Sequence, residues 1–150
     1  KLFYSNHTTM VLPYINKDIS VDSNNHFNQN YIELMVDSYI NDLLNITASN
    51  VVIKKNRILK HTDSKAFNNI NDYFNNLASE YQKFNLSSYF VIKNIEIDEE
   101  NLTALIEGIL YTRYGNEGKE ETEASYIMQL SNSSSGLLIS KFYKIKQNAL

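Results

Sequence analysis

"FNNINDYFNNLASEYQKFNLSSYFVIKNIEI", residues 67–97, changes its period partway along. In its first half Phe67, Ile70, Phe74, Leu77 and Tyr81 recur at spacings of 3, 4, 3 and 4, which is one stripe of an α-helix. From about Ser88 onward apolar and polar side chains alternate, which is the period of a strand. No Pro/Gly-rich linker separates the halves. The chain before this point is mostly helical in pattern and the chain after it strand-like. That order assigns the α+β class, with three helices packed on a curved antiparallel sheet.

Upstream, Asp63 or Ser64 can cap this third helix. A first helix is expected over about Asn28–Leu44, where Ile32, Val36, Tyr39, Ile40, Leu43 and Leu44 fall at helical spacing. Tyr31, Leu34 and Met35 widen its apolar surface, so a sheet should cover much of it. The junction "LNITASNV", residues 44–51, reads as helix–turn–helix punctuation. Asn45 is expected to end the first helix in the left-handed conformation. Thr47 or Ser49 should cap a second helix over about Ala48–Lys60. That helix has few apolar positions, Val51, Val52, Ile58 and Leu59, and should bury one narrow side. Phe67, Ile70, Phe74 and Leu77 are expected to pack on Leu34, Ile40 and sheet residues such as Ile106 or Tyr126.

Downstream, four strands are expected: "SYFVIKNIEI", "LTALIEGILYTR", "ETEASYIMQL" and "LLISKFYKIK". The turns between them are "DEEN", "YGNEGK" and "SNSSSG". Connections this short favour an antiparallel meander. The segment "TTMVLPYI" near the start, holding the single proline Pro13, reads as extended.

A chain of 150 residues, 43% hydrophobic, is long enough for one cored domain spanning residues 1–150. A formal net charge of -3 gives no sign of nucleic-acid binding. Without cysteine there are no disulfides and no thiolate chemistry. Five Asn-x-Ser/Thr patterns reflect a composition rich in Asn, not glycosylation. No apolar run approaches the roughly 20 residues of a membrane span.

Candidate chemistry is sparse. His7, His26 and His61 are scattered, with no metal-ligand spacing, so no metal or cofactor is expected. Gly-x-Ser-x-Gly, Gly-x-x-x-x-Gly-Lys and Gly-x-Gly-x-x-Gly are all missing. Acidic clusters at Glu96–Glu100 and Glu117–Glu123 coincide with expected hairpin ends, where charge discourages edge pairing. The basic cluster Lys54, Lys55, Arg57, Lys60 and His61 sits on the second helix, with Lys54, Arg57 and His61 on one side. It is either a solvated face or a contact surface for an acidic partner. Lys54, Lys55, Arg57 and Lys60, set against Glu99 and Glu120 of another copy, form the candidate interaction surface.

The order of these pieces resembles a known family. "TTMVLPYI", "YIELMVDSYINDLLNITASNV", "RILKHTDSKAFNNINDYF", "GILYTRYGNEGKEETEASYIMQL" and "LISKFYKI" together look like the TraE family of conjugal transfer proteins, over about Thr8–Ile145. That family is grouped with the VirB-type inner-membrane scaffold components (component eight) of type IV secretion systems. Gly108 and Gly115 fall where the family has glycines in its hairpin. The resemblance implies a cone-shaped, nuclear-transport-factor-like fold and no enzymatic activity. It also implies a periplasmic domain behind an N-terminal membrane span that this chain lacks, and assembly through self-association and contacts with other channel proteins. The Asn-Pro-x-Gly turn of the better-known VirB-type members is missing, so their interfaces do not transfer residue by residue. The rival reading is a small-ligand binder or enzyme of the same cone fold, with Asp37, Asp42 or Glu107 placed in an apolar pocket. A secreted adhesin or immunity factor is a second rival, which a cleavable signal upstream would favour.

Overall fold

The computed structural model describes residues 8–10, 19–21 and 28–146. Two short strands, β1 (Thr8–Met10) and β2 (Ile19–Val21), pair antiparallel, and β2 lies against the first helix. Pro13, His7 and His26 lie outside the described residues.

Helix α1 (Gln29–Leu44) starts where the Asn28 carboxamide oxygen accepts the Tyr31 N–H at 2.9 Å. It buries Ile32, Val36, Tyr39, Ile40, Leu43 and Leu44. Its C-terminus corrects the sequence reading. Asn45 has φ -94° and ψ 83°, which is not left-handed. Its side chain instead accepts the Phe90 N–H at 2.8 Å and donates to Asn41 at 2.9 Å. The next two residues form a strand, β3 (Ile46–Thr47), paired with Ser87 and Ser88. The break after α1 is therefore a sheet edge as well as a turn, because Asn45 satisfies a strand N–H that a free turn would leave to water.

Helix α2 (Val51–Leu59) follows a tight turn in which Thr47 and Asn50 bond reciprocally, side chain to backbone N–H, at 2.8 and 3.1 Å. Asn50 stands at the N-cap with no side-chain cap bond, so neither Thr47 nor Ser49 caps α2 as expected; the Thr47 hydroxyl accepts the Asn50 N–H and closes the turn before the helix instead. Only Val51 and Ile58 of α2 are buried. Helix α3 (Ser64–Phe84) is capped by Asp63, whose carboxylate accepts the Lys65 N–H at 3.1 Å. Its buried residues are Ala66, Ile70, Phe74 and Tyr81, with Leu77 and Ala78 half-buried on the same core. Phe67, expected inside, is 42% exposed. The stripe drifts by one position at its N-terminal end, and the smaller Ala66 takes the inner site.

Four long strands complete a sheet of order β3-β4-β5-β6-β7, all antiparallel: β4 (Leu86–Asp98), β5 (Thr103–Tyr114), β6 (Lys119–Ser133) and β7 (Gly136–Lys144). Bulges between Ile92 and Asn94 and between Gln129 and Leu130 bend the strands. Bulges raise the local twist, so the sheet curls into a half-barrel around the helices. This is the expected α+β cone, with one strand more than the sequence suggests. Its core joins Phe74, Ile40 and Leu43 to Ile106, Met128 and Ile139. Leu34 is only partly buried.

Gly108 lies in the middle of β5, within the β5–β6 hairpin and paired with Ala124. Gly115 does lie in the β5–β6 turn, at φ 53°, and its N–H donates to the Asn85 carbonyl at 3.0 Å. Asn85 is the left-handed C-cap of α3, so the hairpin tip is fastened to the end of that helix.

Candidate functional site

The basic cluster of α2 is split by the fold. Asp42 on α1 is buried, and Lys54 and Arg57 both reach it, at 3.6 and 3.1 Å. Lys54 also donates to the carbonyl and side-chain oxygens of Asn41, each at 3.2 Å, and only 13% of its side chain is exposed. The exposed surface expected at Lys54 is therefore not there, because this lysine neutralises a buried carboxylate. Lys55 donates to Asn75 on α3 at 2.9 Å. Arg57, with 55% of its side chain exposed, and Lys60, exposed at the C-cap, remain on the surface. Ile53 and Val52 stand exposed on the same helix. The side chain of His61 is exposed and its ring lies 5.7 Å from that of Tyr39, while its carbonyl accepts the Ile139 N–H.

On the acidic side, Glu99 is exposed in the β4–β5 turn and Glu120 on β6. Glu120 accepts the Tyr114 hydroxyl at 2.5 Å. That hydrogen bond, with partial burial and the carboxylate's charge, raises the Tyr114 hydroxyl above its ordinary pKa.

A cavity of about 340 Å³ opens between α3 and the sheet, lined by Leu44, Leu77, Leu110, Phe142 and the tyrosines 73, 81 and 126 among others. Burial pushes all three tyrosines up, Tyr126 to about 12. The Tyr73 hydroxyl donates to the Leu43 carbonyl at 2.9 Å. None of Asp37, Asp42 or Glu107 lines this cavity. Asp37 is exposed, Asp42 is ion-paired, and Glu107 is half-buried on the face of the sheet away from the helices. The acid that the ligand-pocket reading requires is thus elsewhere. Among the described residues no three His, Asp or Glu side chains gather as a metal site. No helix there is long and apolar enough to cross a membrane.

Two surface features escaped the sequence reading. Tyr89 and Tyr111 stack at 4.7 Å on the outer face of the sheet, beside exposed Val91. The signal was present: "YFVI" at residues 89–92 is apolar at both parities, so one parity had to face outward. The second is an open cleft of about 690 Å³ lined by Glu80, Phe84, Leu86, Tyr114, Gly115, Asn116 and Glu117. Phe84 is 57% exposed there. Phe84 continues the α3 stripe three residues after Tyr81, so its spacing alone predicts burial and gave no clue to its exposure.

The model of the family described as "TraE protein" matches residues 2–144. No curated protein matches the chain. Among solved structures, one titled "TraE protein in complex with 2-(2-furyl)isonicotinic acid" is similar, with 11% identity and a TM-score of 0.59. The match covers 80% of this chain and 98% of that one. At such identity the likeness speaks for the fold alone.

Proposed function

Because the chain belongs to the TraE family, a family of conjugal transfer proteins, we propose that it is a non-enzymatic assembly component of a conjugation-type secretion channel. In this reading it is a periplasmic domain carried on an inner-membrane anchor, and it works by binding copies of itself and other channel proteins. The family match over residues 2–144 carries the reading. The surface chemistry supports it: exposed aromatic and charged side chains lie on several sides, while the interior cavity holds no carboxylate. Anchoring would keep copies at effective concentrations of about mM, where individually weak contacts become strong. The exposed part of the basic set, Arg57 and Lys60, with Lys54 and Lys55 held behind it, is the proposed donor of positive charge. Glu99 and Glu120 are acidic counterparts.

Donor cells lacking the gene test this directly. Transfer should stop, and the anchored protein should restore it. Because the chain has no cysteine, a single Glu117→Cys substitution gives a unique cross-linking handle, expected to trap the protein with itself or with another channel component. Undiminished transfer from the deletion strain would end the proposal.

A further inference from the structure

The cleft at the end of α3 has the composition of a cation site. Phe84 and Tyr114 present exposed rings, and Glu80 and Glu117 line the same space. Glu120 adds a third carboxylate through its bond to the Tyr114 hydroxyl. The C-terminus of the 21-residue helix α3 ends here, so its partial negative charge has the same sign. Aromatic faces attract cations through their quadrupoles, and more strongly where water is displaced. The Phe84 ring already holds one: the Lys83 ammonium lies 5.2 Å from its centroid.

The same chain carries a matching ridge. Ile53, Arg57 and Lys60 stand at i, i+4 and i+7 on one side of α2, all exposed, so the ridge is apolar at one end and basic at the other. Its length is about 10 Å at 1.5 Å per residue. Asp42 holds Arg57 in place at 3.1 Å while 55% of the side chain stays in solvent. An arginine fixed in this way loses little further freedom on binding.

Within one chain the basic end of the ridge lies away from the cleft. The basic end of α2 leads to Thr62, which bridges to Ile139 on the edge strand β7. The cleft lies at the start of β4 and the β5–β6 turn, away from that edge. We propose that the Ile53–Arg57–Lys60 ridge of one copy docks in the Phe84/Tyr114 cleft of a second copy. The contact is head to tail, so each copy keeps one free ridge and one free cleft, and the pairing propagates into a ring or filament. This inference rests on the self-association reading above and names its two surfaces.

The test uses two exposed-residue variants that leave Arg57 on Asp42: Ile53→Asp/Lys60→Glu for the ridge and Phe84→Ser/Glu117→Lys for the cleft. Circular dichroism and urea melts confirm folding. Sedimentation velocity then compares wild type, each variant and their equimolar mixture at up to about 1 mM, the range that tethering provides. Wild type should associate, and each variant alone should associate at least about tenfold more weakly. Their mixture should form a 1:1 dimer and nothing larger, because it contains one intact ridge and one intact cleft. Variants that associate like wild type, or a mixture that stays monomeric, overturn the head-to-tail pairing while leaving self-association standing. A wild type that is monomeric throughout overturns both.

Discussion

Replacing Gly108 with alanine should destabilise the protein well beyond what one methyl group suggests. Gly108 sits in mid-strand on β5, opposite Ile92 and beside the bulge between Ile92 and Asn94. An added Cβ would lie 2.1 Å from the Val91 carbonyl oxygen and 2.7 and 2.9 Å from two Phe90 ring carbons. The ring could swing, but it packs edge-on against Tyr126 at 5.4 Å, so that motion displaces core. The carbonyl belongs to the β4 backbone and can retreat by the required ångström or so only by opening the β4–β5 ladder. Overpacking typically costs about 1–3 kcal/mol, and a backbone obstacle places this site at about 3. With a urea slope of about 2 kcal/mol/M, the midpoint should fall by about 1.5 M. Gly118→Ala is the control: its Cβ meets nothing within 4 Å, so only its backbone conformation, φ 157°, is strained, at about 1 kcal/mol. A Gly108→Ala loss no larger than that of the control would refute the close approach of β4 to β5.

Phe74→Ala should cost about 3–5 kcal/mol, since Phe74 is fully buried, whereas Phe67→Ala on the exposed side should cost less than about 1 kcal/mol; both are read by chemical denaturation. Asp42→Ala strands Lys54 against a vacated carboxylate site, and about 2–3 kcal/mol should be lost, less than for a fully buried pair because Arg57 is solvated. Adding Lys54→Met should recover part of that loss in a double-mutant cycle. Asp63 is held below its ordinary pKa of 3.8, first by the Lys65 N–H and then by the Ser131 hydroxyl. A depressed carboxyl stabilises the fold above 3.8 and loses that contribution as pH falls through the lower folded value. Wild type should therefore exceed Asp63→Ala in stability at neutral pH, and the gap should shrink in acid; a gap independent of pH would contradict the assignment.

The helices and strands were legible because each buries one face, and a buried face imposes a period on the residues that supply it. The 3, 4, 3, 4 stripe of Phe67–Tyr81 located α3, and alternation located β4–β7. Asp63 announced the start of α3 through capping chemistry that acts within a few residues. The family resemblance was likewise carried by local patterns, and the family match over residues 2–144 agrees with it. What sequence could not decide were pairings between distant positions. The basic residues of α2 read as one surface, yet Asp42, on the preceding helix, draws Lys54 inward and leaves Arg57 half in solvent. Asn45 read as a helix terminator, yet it holds Phe90, 45 residues away. Phe67 fitted the stripe, but the curl of the sheet set which residue at that turn faced inward, and Ala66 took the place. The Phe84/Tyr114 cleft exists only because the β5–β6 turn is fastened to the end of α3 through Gly115 and Asn85. Local preference fixes a residue's period and cap. Its charge partner and its exposure depend on which other segment packs against it, and that is settled only when the chain closes on itself.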